Sequence, residues 1–176
     1  MSSTPCLDFL AGRIPTNKGN YVTEMLYWSN DQWEECHDHI QWCFPTKEQS
    51  KFNLNCPLLT DTEVSLFKEY KQEKNHFVVS NFVAISKRFL EFLHIEYKKI
   101  GGFWDDWSFD FKEQKLPEHL ADFNHNYLRI TRFITCLRYF GYSAEAEEVM
   151  ECLTDYLGCQ HSSYEFWVKA AYGPLA

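Results

Sequence analysis

Apolar residues recur at helical spacing along most of the chain. From about His76 to Tyr97, Phe77, Val78, Phe82, Ile85, Phe89, Phe92 and Leu93 lie three or four positions apart, which predicts a long helix stopped by Gly101-Gly102. Asn20 can cap a short helix over Tyr21–Trp28, and Asp31 with Glu34 resembles a capping box opening a second, which Pro45 ends by restricting Phe44. Thr60 with Glu63 is a cleaner capping box for a helix through about Lys74. Pro117 suits the first turn of a short helix, and a strong helix from about Asn124 to Phe140 closes at Gly141. Ser143 and its acidic followers open another that ends at Gly158, and Ser162 with Glu165 opens a last one reaching Gly173. Residues 101–115 alternate aromatic and acidic side chains and read as an irregular loop, with only weak support for a strand pair. The pattern predicts a single compact all-α domain over residues 1–176, with about six to eight helices.

Composition narrows the function classes. Length of 176 residues and an aromatic share of 18% are enough for a real core. The net charge of −8 argues against binding a nucleic-acid backbone. No run approaches the ~18 apolar residues of a spanning helix. Seven cysteines are scattered over the length without any C-x-x-C pair, and residues 1–12 lack the pattern of a secretory signal. These features predict free thiols in a reducing cytoplasm.

Catalytic patterns are missing from the sequence. There is no nucleophile elbow, Gly-rich phosphate loop or H-E-x-x-H, and the acids Asp105-Asp106, being adjacent in sequence, are expected to diverge in a solvated, partner-facing loop rather than form a dyad. A non-enzymatic reading without cofactor is therefore preferred. On a helix through residues 31–44, Trp33, His37, Ile40 and Phe44 fall within about 60° of one another. His37 then lies on the apolar stripe with Gln41 at its edge, either as a hydrogen-bonded core pair or as the wall of a ligand cleft. Trp42 points away from them, to pack on another helix or to anchor a partner. Cys36, His39 and Cys43 share one face at metal-ligand spacing, but no fourth ligand is identifiable, and packing cysteines are the better explanation. His125, Arg129 and Arg132 also share a face. They read as structural ion-pair partners or as a small-anion site, since guanidinium forks suit carboxylate and phosphate.

Two segments carry a family resemblance. His37-Asp38-His39-Ile40-Gln41-Trp42-Cys43-Phe44-Pro45 and Asn124-His125-Asn126-Tyr127-Leu128-Arg129-Ile130-Thr131-Arg132 resemble the H-x-x-I-Q-W-x-F-P and H-N-x-L-R-I-T-R segments of the opioid growth factor receptor conserved domain. Pro57-Leu58-Leu59-Thr60 falls between them in the same order, and the resemblance covers about residues 20–172. Cys43 stands where that family usually carries a larger apolar residue, and the segment 101–111 has no counterpart. The resemblance implies an all-helical fold, and a short, domain-only member of the family is expected. It also implies a receptor for an opioid-like growth-inhibiting peptide, nominally associated with membranes or the nucleus. The leading expectation is a helical binding or regulatory module for a protein or peptide. Its binding candidates are His37, Gln41, Trp42, His125, Asn126, Arg129 and Arg132, with no catalytic or metal-binding residue. The rival is a small-molecule anion- or nucleotide-binding protein, or a small enzyme, built on the same His, Arg and Gln side chains.

Overall fold

The computed structural model describes residues 3–50, 53–99, 107–112, 120 and 124–175. The contacts within the chain divide it into two compact units, one reaching to Phe89 and the other Leu90–Leu175.

The first unit carries helices α1 (Pro5–Leu10), α2 (Val22–Met25), α3 (Asn30–Glu35), α4 (Ile40–Cys43), α5 (Asp61–Tyr70) and most of α6 (Phe77–Phe92). Its core is built from aromatic rings in sequence-distant contact. Phe82 meets Phe67 at 5.3 Å and Phe44 at 6.4 Å, while Phe89 meets Phe44 at 5.1 Å and Trp33 at 5.8 Å. Val78, Phe82, Ile85 and Phe89 form the buried stripe that the helical spacing of α6 anticipates.

One carboxylate organises two helix starts. Thr60 Oγ accepts from Glu63 N–H at 3.2 Å, while Glu63 Oε2 accepts from Thr60 N–H and from its hydroxyl, each at 3.0 Å. That reciprocal pair is the capping box read from the sequence. Glu63 Oε1 meanwhile accepts from the backbone N–H groups of Cys6 at 2.8 Å and Leu7 at 3.4 Å, first-turn donors of α1 that have no partner within the helix. Glu63 is fully buried, so all four donors meet it away from water.

The predicted helix over residues 31–44 is two helices. Ser29 and Gln32, rather than Asp31 and Glu34, form the box that opens α3, with Oγ accepting from Gln32 N–H at 3.2 Å and Gln32 Oε1 from Ser29 N–H at 2.9 Å. Cys36 then turns extended at φ −80° and ψ 119°, and α4 starts afresh after His39. The helical wheel through this stretch therefore fails at its middle.

The second unit joins an antiparallel pair, β1 (Ile95–Lys99) and β2 (Trp107–Phe111), to α7 (Asn126–Tyr139), α8 (Ser143–Leu157) and α9 (Tyr164–Tyr172). Ile95 pairs with Phe111 and Lys99 with Trp107. The strict all-α expectation is corrected by this pair: helix dominates, but a small sheet stands beside it. Its cause is local. His94 adopts φ 59°, which ends the helical path two residues after α6, and β-favouring Ile95 and Tyr97 continue in extended form. The irregular segment near 101–115 is thus partly strand; residues 101–106 and the short helix expected at Pro117 lie outside the described residues.

Helix α7 supplies the core of this unit through Tyr127, Ile130, Phe133, Ile134, Leu137 and Tyr139, against Val149, Met150 and Leu153 of α8 and Trp167, Ala170 and Ala171 of α9. Gly158 ends α8 at φ 81°, a conformation that a Cβ disfavours. Trp167 Nε1 donates to the Tyr127 carbonyl at 3.3 Å, and Arg138 donates to the Ala170 carbonyl at 2.8 Å, tying α9 to α7.

Candidate functional site

The first motif forms the end of the α3–α4 region. His37 lies in the break between the helices and is exposed, so its expected place on the apolar stripe is corrected. The buried histidine is His39, two positions on. Its ring stands edge-on to Trp33 at 4.6 Å and to Trp28 at 5.3 Å. Gln41 is buried and donates to Ser50 Oγ at 3.2 Å rather than pairing with His37. Trp42 is buried against Phe9, with ring centroids 5.3 Å apart, which is the packing alternative of its two readings. Ile40, Cys43 and Phe44 complete a motif whose residues from His39 onward are buried.

A cation braces this region. Arg88 of α6 donates to the Trp28 carbonyl at 2.8 Å and to Asn30 Oδ1 at 2.8 Å, and its guanidinium stands 5.7 Å from the centre of the Trp33 ring. It thereby satisfies backbone at the α2–α3 junction while stacking on the indole beneath. Neither Arg88 nor Glu63 stood out in the sequence as an organiser of distant segments, because their partners are 58 and 57 residues away.

The second motif starts α7. His125 occupies the N-cap position and is exposed, whereas Asn126 is fully buried and Arg129 retains only 6% exposure. Arg132 is half-buried one turn further along. The Asn126 backbone N–H donates to Asn124 Oδ1 at 2.9 Å, and Tyr127 Oη donates to the Leu120 carbonyl at 2.6 Å. His125, Arg129 and Arg132 thus lie along the first turns of α7 in three different settings, exposed, buried and half-buried in that order.

The two motifs belong to different units, His37, Gln41 and Trp42 to the first and His125, Asn126, Arg129 and Arg132 to the second.

Thiol chemistry is subdued in the interior. Burial pushes the Cys136 thiol far above its ordinary range, with Arg132 opposing that shift. Cys152 is raised to about 12 by burial first and then by Asp110, Asp155 and Glu148. The Cys36, His39 and Cys43 spacing does not survive the break between α3 and α4; Cys43 Sγ instead stands 3.5 Å from Met25 Sδ. Among the described residues, no three His, Cys, Asp or Glu side chains gather at metal-binding distance. None of the helices described is long and apolar enough to cross a membrane.

A surface that the motifs did not indicate lies on α9. Tyr164, Glu165, Val168, Lys169, Tyr172 and Gly173 line an open depression of about 400 Å³. Its signal in the sequence was the i, i+4, i+8 spacing of Tyr164, Val168 and Tyr172, which helical periodicity alone assigns to a core.

Comparison with known proteins agrees with the motifs. The profile of the opioid growth factor receptor (OGFr) conserved region matches residues 2–162. Opioid growth factor receptor-like protein 1 of Mus musculus is 34% identical over 148 residues, covering 78% of this chain and 29% of that protein. Its Xenopus tropicalis counterpart is 34% identical over 140 residues, covering 77% and 26%. The opioid growth factor receptor of Rattus norvegicus is 32% identical over 111 residues, covering 63% and 18%. The chain thus spans less than a third of the length of these curated relatives. No solved structure matches it. The chain belongs to the family of the opioid growth factor receptor conserved region.

Proposed function

We propose that this chain is a helical, regulatory binding domain that takes a peptide or protein partner, and that it works in a reducing, cytoplasmic setting. The observation that carries the reading is membership of a family whose named members are receptors and receptor-like proteins. Burial of the motif side chains supports a division of labour. Gln41, Trp42, Asn126 and Arg129 hold the frame from within, and His37, His125 and Arg132 are the motif residues through which a partner is touched. The interior thiols of Cys6, Cys43, Cys56, Cys136 and Cys152 support the reducing setting.

Selection of a displayed peptide library on the immobilised, folded chain tests the reading. Enriched peptides are expected to bind saturably, and the substitutions His125→Ala and Arg132→Ala to weaken them by about threefold to tenfold, as loss of contact-surface polar groups does. Failure to enrich any saturable peptide would contradict it, above all if phosphate or a nucleotide instead raised the melting temperature.

A further inference from the structure

Building on the binding-domain reading, we propose that the outer face of α9, together with the acidic flank of α8, is a docking surface for a basic amphipathic segment of a partner protein. The apolar part is the depression of about 400 Å³ whose lining includes Tyr164, Val168 and Tyr172. Tyr172 is 51% exposed although it is a large aromatic side chain, while Trp167, Ala170 and Ala171 bury the opposite side of the same helix. The helix therefore has a second apolar face beyond the one its own unit uses.

Charge decides what fits there. Glu147 and Glu151 are exposed one turn apart on α8, with Glu148 half-buried between them. Among the described residues none of the three forms an ion pair. α8 packs directly against α9, which sets this flank beside the depression, and the Tyr172 hydroxyl is accordingly pushed up by burial and then by Glu151, Glu147, Tyr164 and Glu148. Glu148 is itself raised by burial and by Glu151, so the flank carries self-repelling negative charge that a cation would relieve. Within the lining, Lys169 adds a cation and Glu165 offsets it. A segment with apolar residues on one side and Lys or Arg along its edge would bury the first on Val168 and Tyr172 and set the second against Glu147 and Glu151. A second copy meeting this one through the same face fits poorly, because Glu147 and Glu151 of the two copies would be brought together and repel.

The test uses a fluorescent amphipathic peptide with leucines at helical spacing and a lysine flank, and an analogue with glutamate in place of lysine, titrated with the folded chain. The lysine peptide is expected to bind saturably, and the glutamate analogue at least about tenfold more weakly. The exposed double change Glu147→Lys with Glu151→Lys should cost about tenfold or more, and Tyr172→Ala a similar factor. The control pair Asp31→Lys with Glu35→Lys, which changes net charge equally on exposed positions of α3, should stay within about twofold. Equal binding of the analogue, an equal loss in the α3 pair, or no saturable binding of the lysine peptide would overturn the proposal. So would self-association abolished by Tyr172→Ala, which would make a second copy the occupant. If library peptides bind but the lysine peptide does not, this surface assignment alone has failed; if no peptide binds at all, the binding-domain reading has failed with it.

Discussion

The backbone N–H of Cys6 donates a 2.8 Å hydrogen bond to Oε1 of Glu63, 57 residues later in the chain, inside a buried environment. A six-residue helix does not stand on its own, because helix nucleation is unfavourable and few backbone bonds offset it. α1 therefore depends on a carboxylate that also opens α5.

Replacement of that carboxylate should be costly. Glu63→Ala strands the Cys6 and Thr60 donors together and is expected to lower stability by about 2–4 kcal/mol. Thr60→Ala removes the α5 cap while leaving the α1 contact, and should cost about 1 kcal/mol. Denaturant unfolding of both variants provides the check. A Glu63→Ala protein as stable as its parent would contradict the assignment.

The two histidines of the first motif should behave oppositely. His39 is fully buried between Trp28 and Trp33, so His39→Ala leaves a cavity against two indoles and should cost about 2–4 kcal/mol. His37 is exposed in the helix break, and His37→Ala should change stability by less than about 0.5 kcal/mol. A continuous helix through residues 31–44 would give the reverse order in thermal melts.

Cysteine labelling should follow exposure. Cys159 is exposed and is expected to react with a maleimide or disulfide reagent at pH 8 well before the buried thiols of Cys136 and Cys152. The same groups set an alkaline limit. Cys136 and Cys152 start from an ordinary value of 9.0 and are raised by burial, and Tyr142 is raised to about 12 by burial and then by Glu145. The folded state thus keeps protons that the unfolded chain releases, so its stability is full below about pH 9 and falls as pH rises from there towards 12. Melting temperatures that climb above pH 9 would contradict this sign.

Local signals were read well where the sequence contains both ends of an interaction. Thr60 and Glu63 are three residues apart and form the expected box; α7, and α8 with its Gly158 stop, lie close to their anticipated positions. Long-range satisfaction was illegible. Nothing near Pro5–Leu10 announces that Glu63 will accept its first N–H groups, and nothing near Trp28 announces Arg88. The break at Cys36 is hidden because no Gly or Pro marks it and the helical spacing of Trp33, His37, Ile40 and Phe44 runs straight across it. The turn into β1 rests on His94 at positive φ, a conformation that side-chain type does not reveal. At the candidate site, helical spacing places His125, Arg129 and Arg132 near one another in the sequence pattern, but spacing does not reveal that Arg129 is buried while His125 is exposed.

The central claim, that the buried motif residues hold the fold while exposed side chains bind the partner, is tested most directly at Arg129. Melting temperatures of the parent protein and of Arg129→Met, each with and without a panel of phosphate and carboxylate compounds, separate frame from ligand site. Because Arg129 is 6% exposed on α7, its loss is expected to leave buried polar groups unsatisfied and to lower stability by about 2–4 kcal/mol, with no anion raising the parent's melting temperature. An Arg129→Met protein that melts with its parent, yet has lost a stabilisation that anions confer on the parent, would contradict the account.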